Sequence, residues 1–372
     1  MRISVVVPGY AREPVGGISV VYQFANGLVD RGHRVTVVHV ARFRKWPSVG
    51  GGRPRRQLEE IVSGWRDQRA GVPADVHWLR IDPRVELRYV PTITTDAVPD
   101  GDVVIATAWQ TVDPVLALPP AKGRPVYLIQ GLEVWSGSEA RIDATWRQSV
   151  RKVFIARWLY ARAEAMGLDD IHHVVLAIDT DKFCLVRPME NRPRRVAMLA
   201  GQDPGKGLAD GVAALTTARA SVPDLRAVLF GVGPRPADLP AWIDYLRDPP
   251  QANLVDDVYN GSAVYLCPSH SEGWHLPAAE AMACGAAVVS TDIGGVADIA
   301  RAEDTALLSP VRDPDRLAHN LVRLLTDDRL RRRIARAGHD EISRHSWARS
   351  VAAFEDILSA PEPAAARTAA VG

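Results

Sequence analysis

The chain has 372 residues, with 45 Lys and Arg against 44 Asp and Glu, a formal net charge of +1, and 47% hydrophobic residues. That length suits two domains of about 150–200 residues with sizeable cores, and the charge balance argues against a dedicated nucleic-acid binder, which would carry a clear basic excess. Three scattered cysteines, Cys184, Cys267 and Cys284, argue against a disulfide framework or a zinc site and fit small buried hydrophobes in a reducing cytoplasm.

Arg2, the apolar run Ile3–Val7 and Pro8 form too short a core for a signal peptide. No stretch approaches the roughly 20 apolar residues of a membrane span, so a cytoplasmic protein is expected. Ile3–Val7 itself is the mark of a strand buried on both faces. A loop with Gly16-Gly17 follows. Ile18, Val21, Tyr22, Ala25, Leu28 and Val29 then recur at helical spacing, with Gly32 where a helix C-cap belongs. Val35–Val40 is the next buried strand and completes a βαβ unit. Val103–Ala106 and Val126–Ile129 repeat the pattern less cleanly.

Between them, residues 41–75 are irregular and carry Arg42, Arg44, Lys45, Arg53, Arg55 and Arg56. This stretch reads as a surface insertion with one helix at 58–65. Its charge allows peripheral contact with an anionic membrane, though a solvated loop is the preferred reading.

A second alternating series predicts strands at Val196–Ala200, Ala227–Gly231, Ala263–Cys267, Ala287–Ser290 and Ala306–Leu308. Leu317, Leu321, Leu324 and Leu325 form an amphipathic stripe on one intervening helix. The expected organisation is a first Rossmann-like domain at 1–182, a Pro- and Arg-rich linker at 183–195, a second domain at 196–345, a crossing-back helix at 346–358 and a disordered Ala/Pro-rich tail at 359–372.

The most informative segment is Pro268–Gly285. A buried strand ends at Cys267, a tight loop contains Gly273, Pro277 fits the first turn of a helix, and Gly285 is a plausible C-cap. Such a loop lies at the carboxyl end of a parallel sheet, where open α/β sheets bind ligands. Open backbone N–H groups at a helix start favour an anion such as a diphosphate. Glu272 precedes the helix, and Glu280 can lean back toward the same loop. A carboxylate repels phosphate, so Glu280 is expected to grip ribose hydroxyls, each such bond contributing about 1.5–3 kcal/mol.

Glu272 and Glu280 make the E-x7-E pattern, and Ser269–Gly285 resembles the signature of family 4 retaining glycosyltransferases of the GT-B fold. Other segments are similar in order and spacing: Gly16-Gly17, Ala177–Phe183, Pro204-Gly205-Lys206-Gly207 and Gly231-Val232-Gly233-Pro234. Tyr127–Trp135 and Val258-Tyr259-Asn260 resemble bacterial rhamnosyltransferase-like members that build cell-surface polysaccharides.

The resemblance implies an α/β chain of two Rossmann-like doubly wound domains facing across a cleft. It implies hexosyl transfer from a nucleotide sugar to a carbohydrate, lipid-linked or small natural-product acceptor, with retention of configuration. Neither metal nor other cofactor is implied. The donor site would comprise Gly16, Gly17, Gln202, Lys206, Gly231, Gly233, Gly273, Trp274, His275, Leu276 and Glu280. Lys206 would contact the diphosphate and Glu272 would support the reacting sugar. Trp109, Gln130, Glu133 and Trp135 would meet the acceptor, and closure of the cleft would exclude water.

Two departures stand out. Gln202 replaces an arginine that many members place on the diphosphate, and Gln130 replaces a histidine near the reacting sugar. Gln130 can orient a hydroxyl but cannot take its proton. Asp179-Thr180-Asp181 looks like the metal motif of a different glycosyltransferase fold, yet lies at the expected domain junction and reads as structural. Two other readings remain open: a GT-B sugar-nucleotide epimerase, and a non-catalytic nucleotide-sugar-binding subunit of a synthase.

Overall fold

The computed structural model describes residues 1–10, 14–41, 76, 78–201 and 203–361. Its contacts divide the chain into two units. The first takes in Met1–Ile155, Leu159–Val174 and the chain from Ala348 onward; the second takes in Ala156–Trp158 and Val175–Trp347. The expected insertion helix at 58–65, the basic stretch Arg42–Arg56, Gln202 and residues 362–372 lie outside the described residues.

The first unit runs β1 (Arg2–Pro8), α1 (Gly16–Asp30), β2 (Arg34–Val40), β3 (Glu86–Val90), β4 (Val103–Ala106), α2 (Trp109–Leu116), β5 (Arg124–Ile129), α3 (Glu139–Trp146), β6 (Arg151–Phe154), α4 (Arg157–Ala165) and β7 (Ile171–His173). Its seven strands form one parallel sheet in the order β3-β2-β1-β4-β5-β6-β7. The continuous apolar runs of β1, β2 and β4 are buried, as a doubly covered parallel sheet requires. Gly16 and Gly17 form the first turn of α1 instead of a loop ahead of it, because Val15 already takes the extended N-cap conformation. Gly32 sits beyond the helix end at φ +86°, the left-handed region glycine adopts without strain.

The last helix, α9 (Trp347–Ser359), joins the first unit from Ala348 on. Phe354 lies with its ring centroid 4.5 Å from that of Phe24, and a Cβ on Gly27 would collide with Val351. Glu355 pairs with Arg31 and, at 2.6 Å, with His33. The buried Arg151 guanidinium donates to the carbonyls of Ile357 and Ala360, both at 2.7 Å, and so caps the helix end.

The second unit runs β8 (Arg195–Leu199), α5 (Leu208–Ser221), β9 (Arg226–Gly231), β10 (Ile243–Arg247), a π-type turn at Leu254–Tyr259, β11 (Val264–Cys267), α6 (Leu276–Ala283), β12 (Ala287–Thr291), β13 (Ala306–Ser309), α7 (Pro314–Thr326) and α8 (Asp328–Ile342). Six parallel strands take the order β10-β9-β8-β11-β12-β13. The stripe Leu317, Leu321, Leu324 and Leu325 of α7 enters a core with Val196, Leu229, Leu266 and Val289. Residues 183–195 cluster with this unit. There the buried Arg192 guanidinium bonds the carbonyls of Tyr259, Ser262 and Cys284 at 2.6–3.2 Å.

Strand order reverses between β1 and β4 in one sheet and between β8 and β11 in the other. Loops leaving the carboxyl ends of two such strands diverge to opposite faces and leave a crevice. Trp109, Lys206 and Gly273–Leu276 lie on these loops or begin the helices after them, whereas Gln130, Glu133 and Trp135 follow β5, and Gly231 and Gly233 follow β9.

Candidate active site

In the second unit the two switch-point loops are tied to each other. After β8 the chain makes a tight turn at Pro204–Lys206, where Asp203 Oδ1 accepts the Gly205 N–H at 2.7 Å. Gly207 follows at φ +64°, and a Cβ there would collide with the Pro268 carbonyl of the loop after β11. The His270 N–H reaches back to the Gly205 carbonyl at 2.7 Å, and His270 Nε2 lies 2.8 Å from Asp210 Oδ2. Only glycine satisfies both the backbone angle and the close approach at position 207.

Within this frame Lys206 Nζ donates to both carboxylate oxygens of Glu272, at 2.9 and 2.7 Å. Ser269 Oγ donates to Glu272 Oε1 at 2.8 Å, and His275 Nε2 stands 3.6 Å from the same oxygen. The stem of Glu272 lies against Gly295, where a Cβ would collide with it. Glu272 is thus held from three sides, with its side chain 10% exposed, while that of Lys206 is 32% exposed. The two groups expected to meet sugar and diphosphate separately are already paired.

His275, expected in the donor site, is 2% exposed. Its Nδ1 accepts the Ala278 N–H at 3.0 Å as the N-cap of α6. Accepting at Nδ1 puts the ring hydrogen on Nε2, the side facing Glu272. Capping also reduces the anion cradle. The His275 N–H bonds the Gly295 carbonyl at 2.9 Å and the Leu276 N–H bonds the Trp274 carbonyl at 3.2 Å. In the 273–276 segment only the amides of Gly273 and Trp274 have no protein acceptor among the described residues. The Trp274 ring is buried, and Leu276 begins the helix. Trp158 donates its indole N–H to the Gly273 carbonyl at 2.9 Å, which fixes the loop crest.

Glu280 faces the interior of the same unit. Tyr259 OH donates to its Oε2 at 2.8 Å. Burial pushes the Glu280 carboxyl up to about 7, with the Tyr259 hydrogen bond opposing. Its other oxygen is the one open to a ligand hydroxyl. Tyr259 is itself fully buried, ring edges against Phe183, Phe230 and Tyr265.

At the end of β9, a Cβ on Gly231 would come within 2.7 Å of the Ala200 carbonyl oxygen. Tyr245 OH donates to the Gly233 carbonyl at 2.6 Å and fixes the turn between the two glycines. Asp179 closes its own turn, its backbone carbonyl accepting the Phe183 N–H at 2.8 Å and its carboxylate pairing with Lys182 at 2.7 Å. Among the described residues no three His, Cys, Asp or Glu are grouped to hold a metal ion.

In the first unit Gln130, at the end of β5, lies against Gly17, where a Cβ would stand 3.5 Å from its amide. Its Oε1 is buried with no partner among the described residues, as is Oε1 of Gln110 in the first turn of α2. Glu133 accepts the Trp109 N–H at 2.9 Å, and burial pushes its carboxyl up to about 7.

Trp109, expected to meet the acceptor, is wedged under the following loop. Its indole N–H bonds Ser136 Oγ at 3.0 Å, and a Cβ on Gly137 would come within 2.9 Å of its ring. Trp135, by contrast, is 64% exposed. Gly9 enters the site at φ +79°, its carbonyl held by the ring N–H of His39 at 3.1 Å. Burial lowers His39 to about 4, so this donor is neutral.

Sequence reasoning missed Ser269, Tyr245 and Gln110. Ser269 stood in the quoted segment, but nothing in its spacing distinguishes a carboxylate partner from a turn residue. Tyr245 lies on a strand the apolar pattern did not reveal. Tyr259 was visible in the Val258-Tyr259-Asn260 likeness, without a role.

Two Rossmann-like units, each carrying a polar cluster at its switch point, define a two-domain α/β ligand-binding architecture. Residues 194–327 match the family described as Glycosyl transferases group 1. The chain is 27% identical, over 93% of its length and 90% of the relative's, to the phosphatidyl-myo-inositol mannosyltransferase of Mycolicibacterium smegmatis. It is 37% identical, over 29% of its length and 26% of the relative's, to the D-inositol 3-phosphate glycosyltransferase of Thermobifida fusca. Anabaena HepE, solved in complex with UDP-glucose, is similar in fold across 100% of both chains, with a TM-score of 0.69 at 15% identity. The family match is carried by the second unit, and the two-unit fold is that of the GT-B glycosyltransferases. Among the described residues no helix is long and apolar enough to cross a membrane.

Proposed function

We propose that the chain transfers a hexosyl group from a nucleoside-diphosphate sugar to an acceptor hydroxyl, with retention of configuration and without a metal. The observation that carries this reading is the Lys206 cation beside the open amides of Gly273 and Trp274 at the β8/β11 switch point. A diphosphate seated there meets one mobile cation and two fixed dipoles, which stabilise the charge that grows as it leaves. Glu280 accepts ribose hydroxyls, and the Gly231–Gly233 turn backs the nucleobase.

Diphosphate binding draws Lys206 away from Glu272. The freed carboxylate then lies beside the developing cationic sugar, still held by Ser269. The acceptor oxygen bonds to the anomeric carbon as the bond to the diphosphate oxygen breaks. The acceptor proton passes to that departing oxygen on the same face, so no protein base is required.

The first unit binds the acceptor and orients its hydroxyl. The unpartnered oxygens of Gln130 and Gln110 accept from acceptor hydroxyls, Glu133 adds a third acceptor, and Trp135 offers an apolar face. Such a site suits a neutral polyol end on a carbohydrate, lipid-linked or small natural-product acceptor, met in the cytoplasm or at the inner membrane surface.

Thermal shifts with UDP, GDP and dTDP test the donor site. A nucleotide at 100 times its Kd adds about 2.7 kcal/mol to stability. Proton NMR of the glycoside formed, with and without EDTA, then reads configuration and metal dependence. No shift with any nucleotide, or an inverted product, overturns the proposal.

A further inference from the structure

Away from both switch points, α8 carries Arg329, Arg332, Arg333 and Arg336, at the i, i+3, i+4, i+7 spacing of one helix face. With Glu190 and Asp340 they line a groove of about 510 Å³. Two features make this stripe costly for the fold alone. Each arginine has a like-charged neighbour three or four residues away, an arrangement that weakens a helix. The stripe also begins in the first turn of α8, at the positive end of its dipole, where cations are disfavoured.

Compensation inside the unit is partial: Arg332 helps, after Arg331, to hold the Asp328 carboxyl below its usual range. Arg333 donates to the Glu303 carbonyl at 2.8 Å, and Arg336 stands 3.7 Å from Glu190. Arg329 and Arg332 make no hydrogen bond or ion pair among the described residues. The groove wall is nevertheless fixed. Arg331, 3% exposed, points inward and donates to the carbonyls of Met189 and Glu190 at 2.9 and 3.1 Å.

We propose that this groove binds a phosphorylated polyol. Guanidinium forks match the oxygens of a phosphate bidentately, and Glu190 and Asp340 at the margin accept hydroxyl donors. The mixture of four cations with two carboxylates suits a ligand that bears both groups. A bilayer surface is a poorer occupant, because the only apolar side chain lining the groove is Ala337.

Glucose 6-phosphate is the probe, titrated calorimetrically into the full chain, with glucose and vesicles containing phosphatidylglycerol as comparisons. Three proteins are measured: wild type, Arg329→Glu/Arg332→Glu and Lys206→Ala. Glucose 6-phosphate binds the wild type and Lys206→Ala alike. It binds the double variant at least tenfold more weakly, at a Tm no lower than that of the wild type, and free glucose does not bind. Raising NaCl from 50 to 300 mM weakens binding to the wild type. The proposal is overturned if glucose 6-phosphate fails to bind, if the double variant keeps its affinity, or if Lys206→Ala alone loses it. Binding to the vesicles without binding to glucose 6-phosphate overturns it as well.

Discussion

Lys206 Nζ bonds both carboxylate oxygens of Glu272, at 2.9 and 2.7 Å, across two loops that leave adjacent strands. A lysine chelated by a carboxylate is not a free anion receptor, so donor binding must exchange one partner for another. Lys206→Ala is expected to lower kcat/KM for the donor by at least 100-fold, roughly 2.7 kcal/mol of transition-state stabilisation. Glu272→Gln should lower kcat more than it raises donor KM. Because the two residues share one contact, the double variant should lose clearly less than the sum of the single losses. Additive losses in steady-state kinetics would show that the pair does not act as a unit.

Glu280 links donor binding to pH. Burial raises its carboxyl from 4.5 to about 7, so the folded state holds the proton more tightly than the unfolded one. Stability from this group is fully present below pH 4.5 and is lost as pH rises through about 7. Glu133, also raised to about 7 by burial, acts in the same direction. Glu280→Gln should therefore stabilise the protein at pH 8, by on the order of 1–3 kcal/mol, and leave it nearly unchanged at pH 4.5. Nucleotide affinity should fall at least tenfold in the same variant. A variant less stable than wild type at pH 8 in urea unfolding would refute the burial argument.

The central strands β1, β2, β4, β8, β9, β11 and β12 were legible because parallel strands covered on both faces must be continuously apolar, and α1, α6, α7 and α9 were legible from their apolar spacing or end signals. What escaped was strand whose burial is carried by polar side chains. β6 reads Arg-Lys-Val-Phe, and its Arg151 and Lys152 are 5% and 4% exposed. Arg151 is buried against the carbonyls of Ile357 and Ala360 and the carboxylate of Asp170, and Lys152 turns back to the carbonyl of Val150. β3 and β10 lie at sheet edges and alternate polar with apolar residues, a pattern shared with loops.

At the candidate site, residue types and their order could be read, but their partners could not. His275 and Trp109 carry groups suited to sugar recognition. Which way they turn depended on the Ala278 amide and on Ser136, neither of which sequence spacing reveals.

Tyr245 tests whether the glycine turn after β9 matters to the donor. Its hydroxyl bonds the Gly233 carbonyl at 2.6 Å from the neighbouring strand. Tyr245→Phe removes one hydrogen bond worth about 0.5–1.5 kcal/mol and leaves the ring packing in place. Donor KM should rise by roughly 2- to 10-fold while kcat stays within experimental error. A fall in kcat at unchanged KM would place Tyr245 in the chemical step and contradict a role confined to shaping the nucleotide end of the site.

Gly207 tests the frame itself. Its φ of +64° and its approach to the Pro268 carbonyl leave no room for a side chain. Gly207→Ala must both adopt a strained backbone and separate the loops that carry Lys206 and Glu272. The expected loss is about 2 kcal/mol or more in denaturant unfolding. Activity should fall further than stability explains, since the lysine and the carboxylate are positioned by that contact. Gly205→Ala is the control. Its Cβ would come 3.1 Å from Asp203 Oδ1, the end of a movable side chain, at no positive φ. It should cost less than half as much. Equal losses in the two variants would mean that the turn tolerates separation of the loops, and that the Lys206–Glu272 pair is held by its own hydrogen bonds instead of by the fold.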